Sequence, residues 1–261
     1  MKRDPAEKTL WARNLSRREM LGLMGSAAAV ALAGCATEQS GQSGSGETGT
    51  VAGSAPSCVV KPQQTEGPYF VDERLNRSDI RVDPSSGSVA EGVPLDLTFN
   101  VSRIDSSSSC TPLAGAVVNV WHCDALGQYS DVRDAGQGFD TRGQKFLRGY
   151  QVTDENGTAR FTTIYPGWYQ GRIVHIHFKI RTDPSSEQGY EFTSQLYFDD
   201  SITDQIHAQA PYAAKGQRDL RNDGDGIFRD GGDQLMLDLT EDGQGYMGTF
   251  DIALKDTYNQ T

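Results

Sequence analysis

Residues 171–180 read Gly-Arg-Ile-Val-His-Ile-His-Phe-Lys-Ile, and this stretch limits the fold more tightly than any other. Successive side chains of a β-strand point to opposite faces. Val174, Ile176, Phe178 and Ile180 therefore share one face, all apolar, and are expected in a core. His175 and His177 share the other face, two residues apart. Their rings can converge on a single ion, about 2.1 Å from each nitrogen. The competing reading is two polar residues on a solvated strand face. The chain has only four histidines, His122, His175, His177 and His207, so the pair is not a by-product of His-rich composition.

The surrounding sequence reads as β-structure. Leu95, Leu97, Phe99 and Val101 alternate with polar residues, which predicts a strand with one buried face. Residues 105–109 are a Ser-rich turn and residues 116–121 a second strand. Asp154-Glu-Asn-Gly157 marks a tight turn between strands at 147–153 and 158–164. Strands are also expected at 173–181 and 195–198, with a closing hairpin from 235–239 and 246–253 around Thr240-Glu-Asp-Gly243. A short helix is expected within 200–215, starting near Ser201. Closely spaced strands with Gly/Asp turns predict an all-β sandwich. Asn222-Asp-Gly-Asp-Gly226 lacks the first acceptor and late Glu of a calcium loop, so it reads as a turn.

The two ends of the 261-residue chain read differently. Residues 1–35 carry paired arginines, Arg17 and Arg18, before a short Ala-rich apolar segment that closes on Leu32-Ala33-Gly34-Cys35. This is the pattern of an export signal, of twin-arginine type, and of a lipobox whose Cys35 takes a lipid anchor to a membrane surface. Residues 36–57 are Gly, Ser and Thr with little that is apolar, as in a flexible tether. Residues 58–261 are long enough for one buried domain. A net charge of −11 disfavours nucleic acid as a partner. An exported, membrane-anchored domain lies where disulfides form.

Four motifs frame the His strand. They are Trp121-His-Cys-Asp-Ala-Leu-Gly-Gln-Tyr129, Thr163-Ile-Tyr-Pro-Gly-Trp-Tyr169, Thr193-Ser-Gln-Leu-Tyr-Phe198 and an early Gln64-Thr-Glu-Gly-Pro-Tyr69. With Arg172-Ile-Val-His-Ile-His-Phe178 they occur in the order found in intradiol ring-cleavage dioxygenases. Over about residues 58–255 the chain resembles exported, single-chain relatives of protocatechuate 3,4-dioxygenase and catechol 1,2-dioxygenase.

The resemblance implies a β-sandwich with Fe(3+) at one edge, held by Tyr129, Tyr169, His175 and His177. It implies that Tyr169 leaves the metal when a catechol-type substrate arrives. Arg172 would sit over the substrate ring, and Gln195 would hydrogen-bond it. O2 would then open the ring between its hydroxylated carbons to a cis,cis-muconate-type diacid. Two hard phenolates suit a trivalent ion, whereas two histidines with one carboxylate suit Fe(II). The Gln64–Tyr69 segment is expected at the pocket mouth, and His122 and His207 are not expected to be ligands. Only five residues separate Tyr169 from His175, fewer than in several relatives, which leaves the choice of catechol open. The main alternative is a non-catalytic aromatic-binding lipoprotein on the same fold. With Cys35 lipidated, Cys58, Cys110 and Cys123 form at most one intramolecular bridge. The pairing is open, and Cys58–Cys123 is the one favoured.

Overall fold

The computed structural model describes residues 58–182 and 189–255. The signal expected over residues 1–35, the tether expected over residues 36–57 and the last residues, 256–261, lie outside them. Among the described residues the strands are β1 (Pro94–Ile104), β2 (Cys110–Pro112), β3 (Val117–Trp121), β4 (Arg133–Asp134), β5 (Phe139–Asp140) and β6 (Arg148–Val152). They continue with β7 (Thr158–Ile164), β8 (His175–Arg181), β9 (Glu191–Tyr197), β10 (Leu239–Asp242) and β11 (Gly245–Lys255). One helix, α1 (Asp200–His207), follows β9.

The strands form the two layers of an all-β sandwich. In the first sheet β1 is central. It pairs in parallel with β11, from Leu95 opposite Tyr246 to Ile104 opposite Lys255. Its other edge is shared by β7 and, further along, β2, both antiparallel. β10 completes this sheet beside β11. The second sheet runs β6-β3-β8-β9, antiparallel throughout. A small ribbon of β4 and β5 stands apart.

The alternation seen in the sequence sets the layers. Leu95, Leu97, Phe99 and Val101 of β1 are buried against Ile176, Phe178 and Ile180 of β8. The Phe178 ring bridges the sheets, 5.2 Å from Phe99 and 5.4 Å from Phe250, centroid to centroid. Burying a side chain of this size stabilises the fold by about 1.5–3 kcal/mol. The apolar face of β8 is thereby committed to the core, which turns His175 and His177 toward the opposite side.

The short helix expected within 200–215 is α1, Asp200–His207, and a 3₁₀ turn, Tyr212–Lys215, follows it. Two expectations are corrected. The closing hairpin begins at Leu239, not Leu235. Residues 232–235 form a 3₁₀ turn, and the Leu237 N–H donates to the Tyr197 carbonyl, so this stretch is drawn to the end of β9. The disulfide joins Cys58 to Cys110, with Cα atoms 5.6 Å apart, and leaves Cys123 free and buried. The chain after Cys58 runs beside β11, where Ala253 N–H donates to Val59 O. That brings Cys58 to the end of the first sheet, where β2 starts. Cys123 belongs to the second sheet's side and packs among aromatic rings instead.

Candidate metal centre

β8 presents both histidines to the protein interior rather than to solvent. His175 is 2 % exposed and His177 is fully buried. Their Nε2 atoms lie 3.0 Å apart. His175 Nδ1 is 2.6 Å from the Ile173 carbonyl, which places its proton on Nδ1 and leaves Nε2 as an acceptor. His177 stacks flat on Trp121, centroids 5.0 Å apart and planes 4° apart.

Two phenols complete the cluster. Tyr129 enters from the turn after β3, in which Asp124 Oδ1 accepts from the Leu126 and Gln128 N–H groups. Tyr169 enters from the short link between β7 and β8. The Tyr129 and Tyr169 hydroxyls lie 3.3 and 3.4 Å from His175 Nε2. An ion about 2.1 Å from each donor requires donor–donor edges of about 3.0–3.4 Å. The separations on His175 Nε2 are those edges, so the residues present fit a metal. Among the described residues no three His, Cys, Asp or Glu side chains gather, so the further donors beside the two imidazoles are phenols. That set suits a hard, highly charged ion better than zinc.

Electrostatics point the same way. Burial, followed by the Arg172 guanidinium, holds His175 well below the usual imidazole range. Burial, then His175 and Arg172, do the same to His177. Both are therefore neutral, lone-pair ligands. Burial raises the phenol of Tyr129 far above its ordinary value and pushes Tyr169 up to about 12. Only a strong local positive charge would ionise such phenols at neutral pH.

A surrounding shell fixes these donors. Tyr69 stacks on Tyr129 at 4.4 Å and donates to Asp134 at 2.5 Å. Gly67, with φ +71°, backs onto His177; a Cβ there would sit 3.2 Å from its Cε1. The Gln64–Tyr69 segment thus lies directly on the site. Arg172 Nη2 donates to Gln195 Oε1 at 2.6 Å, and Gln195 Nε2 donates to Thr65 O at 2.9 Å.

Sequence reasoning missed Asp225, which is 2 % exposed and accepts from Arg172 Nε at 2.7 Å. Its only sequence signal was the Asn222–Gly226 motif, read as a turn. Residues 222–224 do form a 3₁₀ turn. The two other histidines lie apart from the cluster. His122 Nε2 is 2.7 Å from Thr163 Oγ1, and His207 Nε2 is 3.0 Å from Pro166 O.

Known proteins share this sequence pattern and fold. The Dioxygenase_C family model, described as Dioxygenase, matches residues 65–254. The chain is 35% identical over 178 residues to a chlorocatechol 1,2-dioxygenase of Pseudomonas putida, covering 57% of this chain and 58% of that protein. It is 29% identical over 184 residues to the protocatechuate 3,4-dioxygenase beta chain of Burkholderia cepacia, covering 66% of this chain and 71% of that one. The structure of an intradiol ring-cleavage dioxygenase from Tetranychus urticae superposes with a TM-score of 0.64 at 31% identity, over 77% of this chain and 96% of that one. The chain thus spans less than two-thirds of the chlorocatechol enzyme's length, yet the family match takes in the strand, both tyrosines and Arg172. With motif order, sandwich and donor cluster in agreement, the chain belongs to the intradiol ring-cleavage dioxygenase family.

Proposed function

We propose that this protein opens catechol-type rings with O2 between the two hydroxylated carbons, giving cis,cis-muconate-type diacids in aromatic compound catabolism. The observation that carries the reading is the convergence of two phenol oxygens and two neutral imidazole nitrogens in one buried cluster. Tyr129, Tyr169, His175 and His177 would hold ferric iron. Bound there, the ion supplies a Lewis acid and electron sink that opens a catecholate to attack by O2.

The chain's own groups do the rest. Burial pushes the pKa of Tyr169 up to about 12, so its phenolate, formed when it serves as a metal donor, would be a strong base able to take a proton from an incoming catechol hydroxyl. Tyr129 is fully buried and stacked on Tyr69, so it would be the more firmly held of the two phenol donors. Arg172 presents a fixed positive charge to negative charge developing on the ring, and Gln195 orients it. Buried aromatic walls from Tyr69, Trp121 and Tyr129 keep bulk water away.

The test is metal analysis, visible spectroscopy and oxygen uptake on purified protein over a panel of catechol, protocatechuate and hydroxyquinol. A red-brown band from ferric tyrosinate that shifts with catechol is expected. Tyr169→Phe should alter that band and slow turnover. A colourless protein that carries iron would sink the ligand assignment, and absent oxygen uptake would sink the activity.

We also infer an exported protein anchored by a lipid on Cys35, a reading supported by the Cys58–Cys110 bridge, since disulfides persist in oxidising compartments. Cys35→Ser should release the protein from the membrane fraction; unchanged membrane retention would count against the anchor.

A further inference from the structure

Arg172 is held from two sides. Asp225 Oδ2 accepts from Arg172 Nε at 2.7 Å and from the Ile173 N–H at 3.2 Å. Its other oxygen, Oδ1, accepts from the Ile227 N–H at 2.7 Å and the Phe228 N–H at 3.3 Å. One buried carboxylate therefore ties the link between Tyr169 and His175 to the loop at 222–228. On the other side Gln195 Oε1 takes Nη2 at 2.6 Å, and Gln195 Nε2 donates to Thr65 O at 2.9 Å, which fixes the amide. A guanidinium is planar and rigid. Fixing Nε and Nη2 sets its plane and so the direction of Nη1. The Tyr169 and Tyr197 hydroxyls lie beside the same guanidinium.

We infer that Asp225 is a positioning residue for ring cleavage, acting through Arg172; the inference rests on the functional reading above. The carboxylate is specific to the task. Each of its oxygens faces two N–H donors, and an asparagine amide has only one acceptor oxygen. An Asn at this position would turn its NH2 toward either the Arg172 side or the Ile227 side, donor against donor. The Arg172 plane would then lose one of its two fixed points or the loop would shift. Displacements of this kind cost about a hundredfold in rate when the reacting geometry moves by an ångström.

The experiment compares iron-loaded wild type, Asp225→Asn, Arg172→Ala and the double variant by oxygen uptake with catechol and by thermal midpoint. Asp225→Asn should lower kcat by about ten- to a hundredfold with a much smaller change in KM. In the double variant kcat should fall no further than in Arg172→Ala alone, and the midpoint should fall by less than the two single losses combined, because the two residues are in direct contact. Wild-type kcat in Asp225→Asn beside a crippled Arg172→Ala would overturn the inference and leave the functional reading standing. Losses that multiply in the double variant would overturn it too, since Asp225 would then act independently of Arg172. Should Asp225→Asn not fold, Arg172→Lys decides, because it keeps the charge but cannot present two nitrogens to two acceptors. A fall like that of Arg172→Ala supports the inference, and wild-type kcat overturns it. A wild type without oxygen uptake removes the functional reading and the inference together.

Discussion

Gly67 shows how much one residue constrains the site. Its positive φ disfavours any L side chain, and its face lies against His177. Gly67→Ala should cost about 1–3 kcal/mol of stability through backbone strain and lower iron retention, because His177 must yield to the added methyl. Denaturant unfolding and metal analysis of the variant check both. His122 lies apart from the donor cluster, and burial lowers its pKa from 6.5 to about 4. Its folded pKa lies below its unfolded one, so its contribution to stability is complete above pH 6.5. That contribution is lost as pH falls toward 4, by an amount of the order of 3 kcal/mol. His122→Gln should flatten that part of a stability-against-pH curve for the iron-free protein; an unchanged slope would show that other groups carry it.

At the scale of elements, the bridge between Cys58 and β2 fastens the segment that reaches the metal cluster. From Cys58 the chain passes Gln64, which accepts from the Tyr197 hydroxyl, and Thr65, which accepts from Gln195, before Gly67 and Tyr69. Replacing Cys58 and Cys110 by Ser should cost about 2–4 kcal/mol. Non-reducing peptide mapping should recover the Cys58–Cys110 pair with Cys123 as a thiol. β8 was legible in the sequence because its two-residue period is local: four apolar residues and two histidines declare both faces. The Cys58–Cys110 pairing was not, since it depends on the N-terminal segment running along β11, far away in the chain. Asp225 was hidden for the same reason. Its partner, Arg172, is remote in sequence, and an Asp between two glycines carries the signature of a turn whatever else it does. The tyrosines fall between these cases. Motif order pointed to them, and only the fold brings their hydroxyls beside His175.

At the scale of the molecule, the central strand β1 takes its partners from well apart in the chain, β7 after the first sheet-two strands and β11 near the end. Non-local pairing of this kind slows folding. It also makes β11 indispensable: removing residues 245–261 should abolish cooperative unfolding rather than trim stability, as thermal melts of the shortened chain would show. The parallel pairing of β1 with β11 has a cost during synthesis as well. Until Gly245 to Lys255 have emerged, Leu95, Leu97 and Phe99 stand on a strand with one open edge, and such edges recruit other chains. Prematurely terminated products of this protein should therefore be found in aggregates, not as partly active fragments.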